Sequence, residues 1–307
     1  MTALAAVVLV HADPAHFGRL TRALAGIPLV VHCDARTAAP VYRQLRGAAT
    51  GQVRFIERRR TSLASWSLVQ AELDALRAAL TWTNAEHIAV LSGADYPLTN
   101  TQNLLTALRD RVGRSWIQNQ PLPAPEWNTP RHRDGGLWRL RYRYLVRGGQ
   151  IVFWRGHPLR WPIPRQLPGG LALRGASQWK IYSREHARGL LAAADSRPDL
   201  MGFWRSTLVP DETFAASMLA TPALFGSDAL TPCRTSAWYI DWEDNDTGHP
   251  RWLDESYYDR LEALRSAPVG PDRKLFARKF RSADSAVVDL IDARLRVDHV
   301  PPVTPGG

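Results

Sequence analysis

The chain has 307 residues, 45% of them hydrophobic, with a formal net charge of +10; this is enough for one large soluble domain, or two packed halves, around a substantial core. No apolar stretch approaches the ~20 residues that cross a bilayer, and the run 3–10 is short and soon followed by Asp13-Pro14, so it reads as a strand rather than a signal sequence. Only two cysteines, Cys33 and Cys233, stand far apart, which suits a reducing compartment and, with no spanning segment, a cytoplasmic protein.

The first 118 residues alternate short apolar runs with amphipathic stretches, the pattern of a mostly parallel sheet flanked by helices. Strands are expected at 3–10, 29–32, 53–56, 88–91 and 115–117. Asp13 and Pro14 supply a cap and first turn for a helix through Ala25. Leu68, Val69, Leu73, Leu76 and Leu80 recur at helical spacing, so 67–80 lays an apolar face on the sheet. Residues 121–170 turn to Pro, Gly, Arg and Trp, a loop-rich excursion with a hairpin pairing 141–146 with 150–154 across Gly148-Gly149. Order returns with a strand at 178–182 and helices at 184–194, 212–219 and 283–296. This divides the chain into a nucleotide-sugar half (1–118), an acceptor-binding and catalytic half of the same domain (119–296), and a flexible tail (297–307).

Positive charge invites a nucleic-acid reading, but the basic residues are dispersed, with local runs at Arg58-Arg59-Arg60 and between Arg139 and Arg147. An anionic nucleotide-sugar or a membrane-associated acceptor accounts for it equally well, and no nucleic-acid partner is expected. Ligands of open parallel sheets bind at the carboxyl ends of the strands. His11, His32, Asp34, Ser92 and Asp95 all follow such ends.

Four segments carry a family signature in order. They are Ser65-Trp66-Ser67-Leu68-Val69-Gln70-Ala71-Glu72, Ser92-Gly93-Ala94-Asp95-Tyr96-Pro97, Pro210-Asp211-Glu212 and Leu275-Phe276-Ala277-Arg278-Lys279-Phe280. Together they resemble glycosyltransferase family 14, the core-2/I-branching N-acetylglucosaminyltransferases and peptide O-xylosyltransferases, across roughly residues 4–290. The resemblance implies an α/β, GT-A-like fold with a loop-rich acceptor side.

It also implies roles. Glu212 corresponds to the family's catalytic glutamate, the base that takes the acceptor's proton; without the family, an acidic pair after proline is an ordinary first helical turn. Asp34, in Val31-His32-Cys33-Asp34, corresponds to the carboxylate that holds uridine, with a helix cap as the alternative. His11 aligns with the strand end against the base, and Asp95 would face the transferred sugar or else serve a turn. Arg278 and Lys279 correspond to basic side chains that stabilise the leaving diphosphate in place of a divalent cation; the alternative is a solvated basic turn, which the neighbouring Leu275, Phe276 and Phe280 disfavour. On the acceptor side the alignment points to Glu126, Ser177, Trp179 and Trp242. Trp179 and Trp242 are offered as flat faces for sugar rings, although most tryptophans are core residues.

The expected function is therefore an inverting, metal-independent transfer from a UDP-sugar, with N-acetylglucosamine or xylose favoured, to a saccharide, peptide or small-molecule hydroxyl, forming a β-linkage and requiring no cofactor. Two alternatives stand beside it. One is a metal-dependent transferase using Asp244-Asn245-Asp246 as an Asp-x-Asp motif. The other is a non-catalytic carbohydrate- or nucleic-acid-binding module.

Overall fold

In a computed structural model, residues 3–242, 249–268 and 273–297 are described. Strand β1 (Leu4–Val10) is apolar and buried at every position, as required of a parallel strand covered on both faces. It lies between β2 (Leu29–Cys33) and β4 (His87–Ser92), parallel to both. With β3 (Val53–Phe55) parallel to β2, and a later strand antiparallel to β4, the central sheet has five strands, four of them parallel.

Helix α1 (Pro14–Ala23) begins as expected, with the Asp13 carboxylate accepting from the His16 backbone N–H at 3.0 Å. Helix α2 (Ala39–Ala48) has Ala38 rather than Asp34 at its N-cap. Helix α3 (Trp66–Trp82) lays Val69, Leu73 and Leu76 onto the sheet; Leu68 and Leu80, also assigned to that face, are only partly buried.

β5 (Asp95–Pro97) leaves the end of β4 and enters a second sheet. Helix α4 (Thr101–Arg109), not anticipated from the sequence, follows, capped by Asn100. The expected strand at 115–117 is reduced to a bridge between Trp116 and Ile181, and the strand itself falls on β6 (Asn119–Pro121), paired with β7 (Arg174–Ala176). The hairpin in the loop-rich stretch is short, Val146–Arg147 against Gln150–Ile151, and a helical turn at Trp138–Arg141 occupies the start of its expected first strand.

β8 (Lys180–Ser183) closes the central sheet, and α5 (Arg184–Ser196) begins at once, with the Ser183 hydroxyl as its cap. After α6 (Pro198–Arg205), a single 3-10 turn, Pro210–Glu212, leads into α7 (Phe214–Ala220). The helix expected from Glu212 thus begins two residues later. β9 (Trp238–Ile240) and β10 (Phe276–Arg278) join β5 in the order β9-β10-β5, with α8 (Tyr258–Ser266) between them in sequence. The last helix, α9 (Ser285–Leu290), relaxes into a π turn over Ile291–Leu295. Both sheets draw strands from either side of residue 118.

The helix α3 face carries one charge inward. Glu72 is buried against Lys180 of β8, with Nζ 3.2 and 3.3 Å from its two oxygens, and the Tyr182 hydroxyl donates to the same carboxylate at 2.6 Å. Removing one partner from a buried pair strands the other charge, which costs about 3–5 kcal/mol. Glu72→Ala is expected to lose stability on that scale in urea unfolding, while Glu72→Leu combined with Lys180→Met recovers most of it. Equal stability of Glu72→Ala and the parent would contradict this.

Candidate active site

The carboxyl ends of β1, β2 and β4 meet through backbone contacts. Asp34 N–H donates to the Val10 carbonyl and Gly93 N–H to that of Leu9. Gly93 suits this approach because a Cβ there would stand 2.5 Å from a Val10 methyl. His11 follows β1 with its side chain exposed, its carbonyl accepting from the Thr37 hydroxyl.

Asp34 does not cap a helix. Its carboxylate closes a local turn by accepting from the Arg36 backbone N–H at 2.7 Å, and it also accepts from the Thr61 hydroxyl at 2.6 Å and the Arg36 guanidinium at 2.9 Å. Burial opposes its charge, but the bonds from Arg36 and Thr61 outweigh burial and hold its pKa down to about 2. An ionised acceptor is thereby fixed at the end of β2.

Asp95 departs from its expected place. Its side chain has no exposure to solvent, so in this conformation it presents no surface to a sugar. The carboxylate instead accepts from the Ser92 hydroxyl (2.7 Å), the Ser92 N–H (3.1 Å) and the Trp238 indole N–H (3.0 Å), and lies 3.6 Å from Arg278 Nε. Burial raises its pKa, against the pull of Arg278 and these bonds. It acts through what it holds.

Arg278 is the group so held. Its guanidinium carbon lies 3.8 Å from the centre of the Trp179 ring, and burial lowers its pKa against the pull of Asp95. Its Nε faces the Asp95 carboxylate, and its Nη1 is buried without a hydrogen-bond partner, an arrangement that leaves one donor unsatisfied. Beside it Lys279 is half-buried, with its ammonium 4.3 Å from the Trp252 ring centre, and its pKa is lowered by burial and by Arg278 and Arg281. Leu275, Phe276 and Phe280 are buried, so this segment is not a solvated turn.

Trp179 is likewise buried and already carries Arg278 on its ring. That stacking replaces the expected sugar platform. Ser177 is half-buried, and its hydroxyl accepts from the Trp179 N–H at 3.1 Å, shaping that turn. Trp242 is exposed, as is Glu126, which sits on the 3-10 turn Pro125–Trp127.

Glu212 accepts from Arg139 Nη1 at 2.8 Å. Arg139 in turn stacks over Trp127, 4.7 Å from its ring centre. Burial raises the pKa of Glu212 despite Arg139 and Lys180, and raises that of Asp211 together with the neighbouring Glu212 charge. Two adjacent residues of one strand region therefore join the clusters. Trp179 carries Arg278, and Lys180, paired with Glu72, lies close enough to act on both Asp211 and Glu212.

Sequence reasoning missed Arg139, Trp127, Trp238 and Thr61, the side chains that fix Glu212, Asp95 and Asp34. No motif marks them, since each works by a contact distant in sequence. The Asp244-Asn245-Asp246 triplet lies outside the described residues. Among the described residues, no group of three or more His, Cys, Asp or Glu side chains is arranged to hold a metal, and no helix is long and apolar enough to cross a membrane.

The chain matches the family model for the core-2/I-branching enzyme over residues 7–262. It belongs to that family and is a glycosyltransferase, which sets aside the reading of a non-catalytic module. No curated protein matches it. Among solved structures it is similar to HddC from Yersinia pseudotuberculosis, at 12% identity over 60% of this chain and 78% of that one, with a TM-score of 0.28. It is also similar to a Bacillus anthracis structure, provisionally described as a glucose-1-phosphate thymidylyltransferase in complex with a sucrose, at 10% identity over 88% of this chain and 98% of that one, with a TM-score of 0.32. Likenesses this low bear on neither site nor activity.

The Asp34 carboxylate should titrate at about 2, and Thr61→Val should raise that value, as read from side-chain carboxyl carbon-13 shifts. A titration near the ordinary ~3.9 would mean that the turn does not hold the charge as described.

Proposed function

We propose that this glycosyltransferase transfers a sugar from a UDP-sugar to an acceptor hydroxyl with inversion, without a divalent cation. N-acetylglucosamine and xylose are the favoured sugars, and the acceptor is a saccharide, peptide or small molecule. The observation that carries the reading is Arg278, a largely buried guanidinium oriented by Asp95 and Trp179, whose Nη1 is left without a hydrogen-bond partner.

In this reading Asp34 accepts hydrogen bonds from the nucleoside, and His11 flanks the base. The acceptor oxygen attacks the anomeric carbon on the face opposite the diphosphate while its proton passes to a Glu212 oxygen. The bond to the diphosphate breaks, and the electron pair leaves on UDP, whose charge Arg278 and Lys279 stabilise. Donors fixed in a largely dry site do this without reorganising. A β-linkage results from an α-linked donor. Asp95 and Trp179 position Arg278, while Glu126, Ser177 and Trp242 remain acceptor-side candidates.

The raised pKa suits Glu212 to general base work. Its carboxylate is the working form, so activity falls as pH drops through its pKa, and the acid limb of kcat/KM should lie above ~4.3, the ordinary glutamate value. Glu212→Gln should lower kcat by roughly 10²- to 10⁴-fold with UDP affinity nearly unchanged; near-parental turnover would remove Glu212 from the mechanism.

The cationic site is tested by ligand choice. Arg278→Ala and Lys279→Ala should weaken UDP but spare uridine, whereas Asp34→Ala should weaken both, by about ten-fold or more, the worth of one bond to a charged group. Turnover should survive exhaustive chelation; loss with EDTA and recovery with manganese would overturn the metal-independent reading.

A further inference from the structure

The basic residues, dispersed over the chain as a whole, go without acidic neighbours in sequence along one stretch. Positions 135–184 contain ten Arg or Lys and no Asp or Glu, while the remaining 29 basic and 29 acidic residues cancel. Exposed apolar side chains gather in the same region. Of eleven large hydrophobic residues exposed among the described residues, six lie between 145 and 163, namely Leu145, Val146, Phe153, Trp154, Trp161 and Ile163. Arg143, Arg147, Arg155 and Arg160, all exposed, are interspersed with them.

These residues sit on an anchored meander. Leu145 bonds through its backbone to Leu159 and Val152, and Val152 to Leu159, so three short segments run side by side. Tyr144 and Ile151 are buried with Leu208 in a small core of their own. The Ile151 N–H donates to the Ser65 hydroxyl, and Arg165 bonds the Leu140 and Phe203 carbonyls. The exposed apolar residues are therefore surplus to the meander's own packing.

We propose that the 143–163 meander is a docking surface for an anionic lipid bilayer. Tryptophans take the interfacial level, aliphatic side chains enter the acyl boundary, and the unopposed arginines meet anionic headgroups. Charge complementarity selects this occupant over a neutral protein surface. Leu145, Val146 and Ile163 favour it over a single-stranded nucleic acid, whose bases stack on aromatic faces and gain nothing from aliphatic ones. A cleft of about 550 Å³ lies at the foot of the meander, lined by Trp138, Tyr144, Phe153, His157, Arg160 and Val209. Val209 immediately precedes the turn that bears Glu212. Docking would thus set the acceptor side of the enzyme against the membrane.

Vesicle binding does not rest on the roles given to Glu212 or Arg278; only the facing of the acceptor side rests on that of Glu212. The full chain should co-sediment with phosphatidylcholine vesicles containing phosphatidylglycerol, and much less with phosphatidylcholine alone. The triple variant Trp154→Ser, Trp161→Ser, Ile163→Ser should lose roughly ten-fold in partitioning, as should Arg147→Glu with Arg155→Glu, with melting temperature and UDP affinity unchanged. Any of three results would overturn it: absence of binding to the anionic vesicles, undiminished binding of the triple variant, or binding of a single-stranded oligonucleotide or a second copy of the chain through the same residues in place of vesicles.

Discussion

The Asp95 carboxylate, sealed from solvent between two sheets, is the constraint on which the site depends. It ends the excursion from β4 through Ser92, bonds Trp238 on β9 and faces Arg278 on β10. A buried carboxylate is tolerable only when its partners are in place. Asp95 therefore fixes the register of the second sheet against the first, and the same contacts aim the Arg278 guanidinium. Ser92-Gly93-Ala94-Asp95 is thus an internal clamp, with Gly93 allowing the close approach to Val10.

A second buried charge system begins at the residue after Trp179. Glu72, Lys180 and Tyr182 tie helix α3 to the sheet edge, and the Lys180 charge reaches Asp211 and Glu212. Glu212 is held by Arg139, itself stacked on Trp127. Gly175 is required here, since a Cβ would stand 2.5 Å from the Trp127 ring. Cationic and carboxylate clusters are therefore joined at the start of β8, by Trp179 just before the strand and Lys180 as its first residue. In the proposed mechanism these would be the leaving-group pole and the proton-accepting pole; burial lowers the Arg278 pKa and raises that of Glu212.

The parallel strands were legible because a strand covered on both faces is predominantly apolar: β1 is so at every position, β2 is broken only by His32, and β4 carries polar residues only at its ends, His87 and Ser92. Helix α3 was legible from its leucine spacing. Short elements paired by distant partners were not. β9 and β10 have three residues each and acquire meaning only through β5, and the strand expected at 115–117 shifted to Asn119–Pro121, where Arg174–Ala176 was available to pair. Within the site, residue types and order were readable from the four family segments, but burial was not. Asp95 and Trp179 fit a sugar-facing description in sequence, yet the structure turns them toward Arg278 because a buried guanidinium needs both a counter-charge and a flat face.

In the proposed mechanism Arg278, oriented by Asp95 and Trp179, receives the diphosphate of a uridine nucleotide. A crystal structure of the protein with UDP tests it most directly. The expected result is diphosphate oxygens within hydrogen-bond distance of Arg278 Nη1, Lys279 alongside, and the uridine against Asp34 at the end of β2. UDP bound with its diphosphate away from Arg278, and Arg278 still enclosed between Asp95 and Trp179 without a new partner, would contradict it.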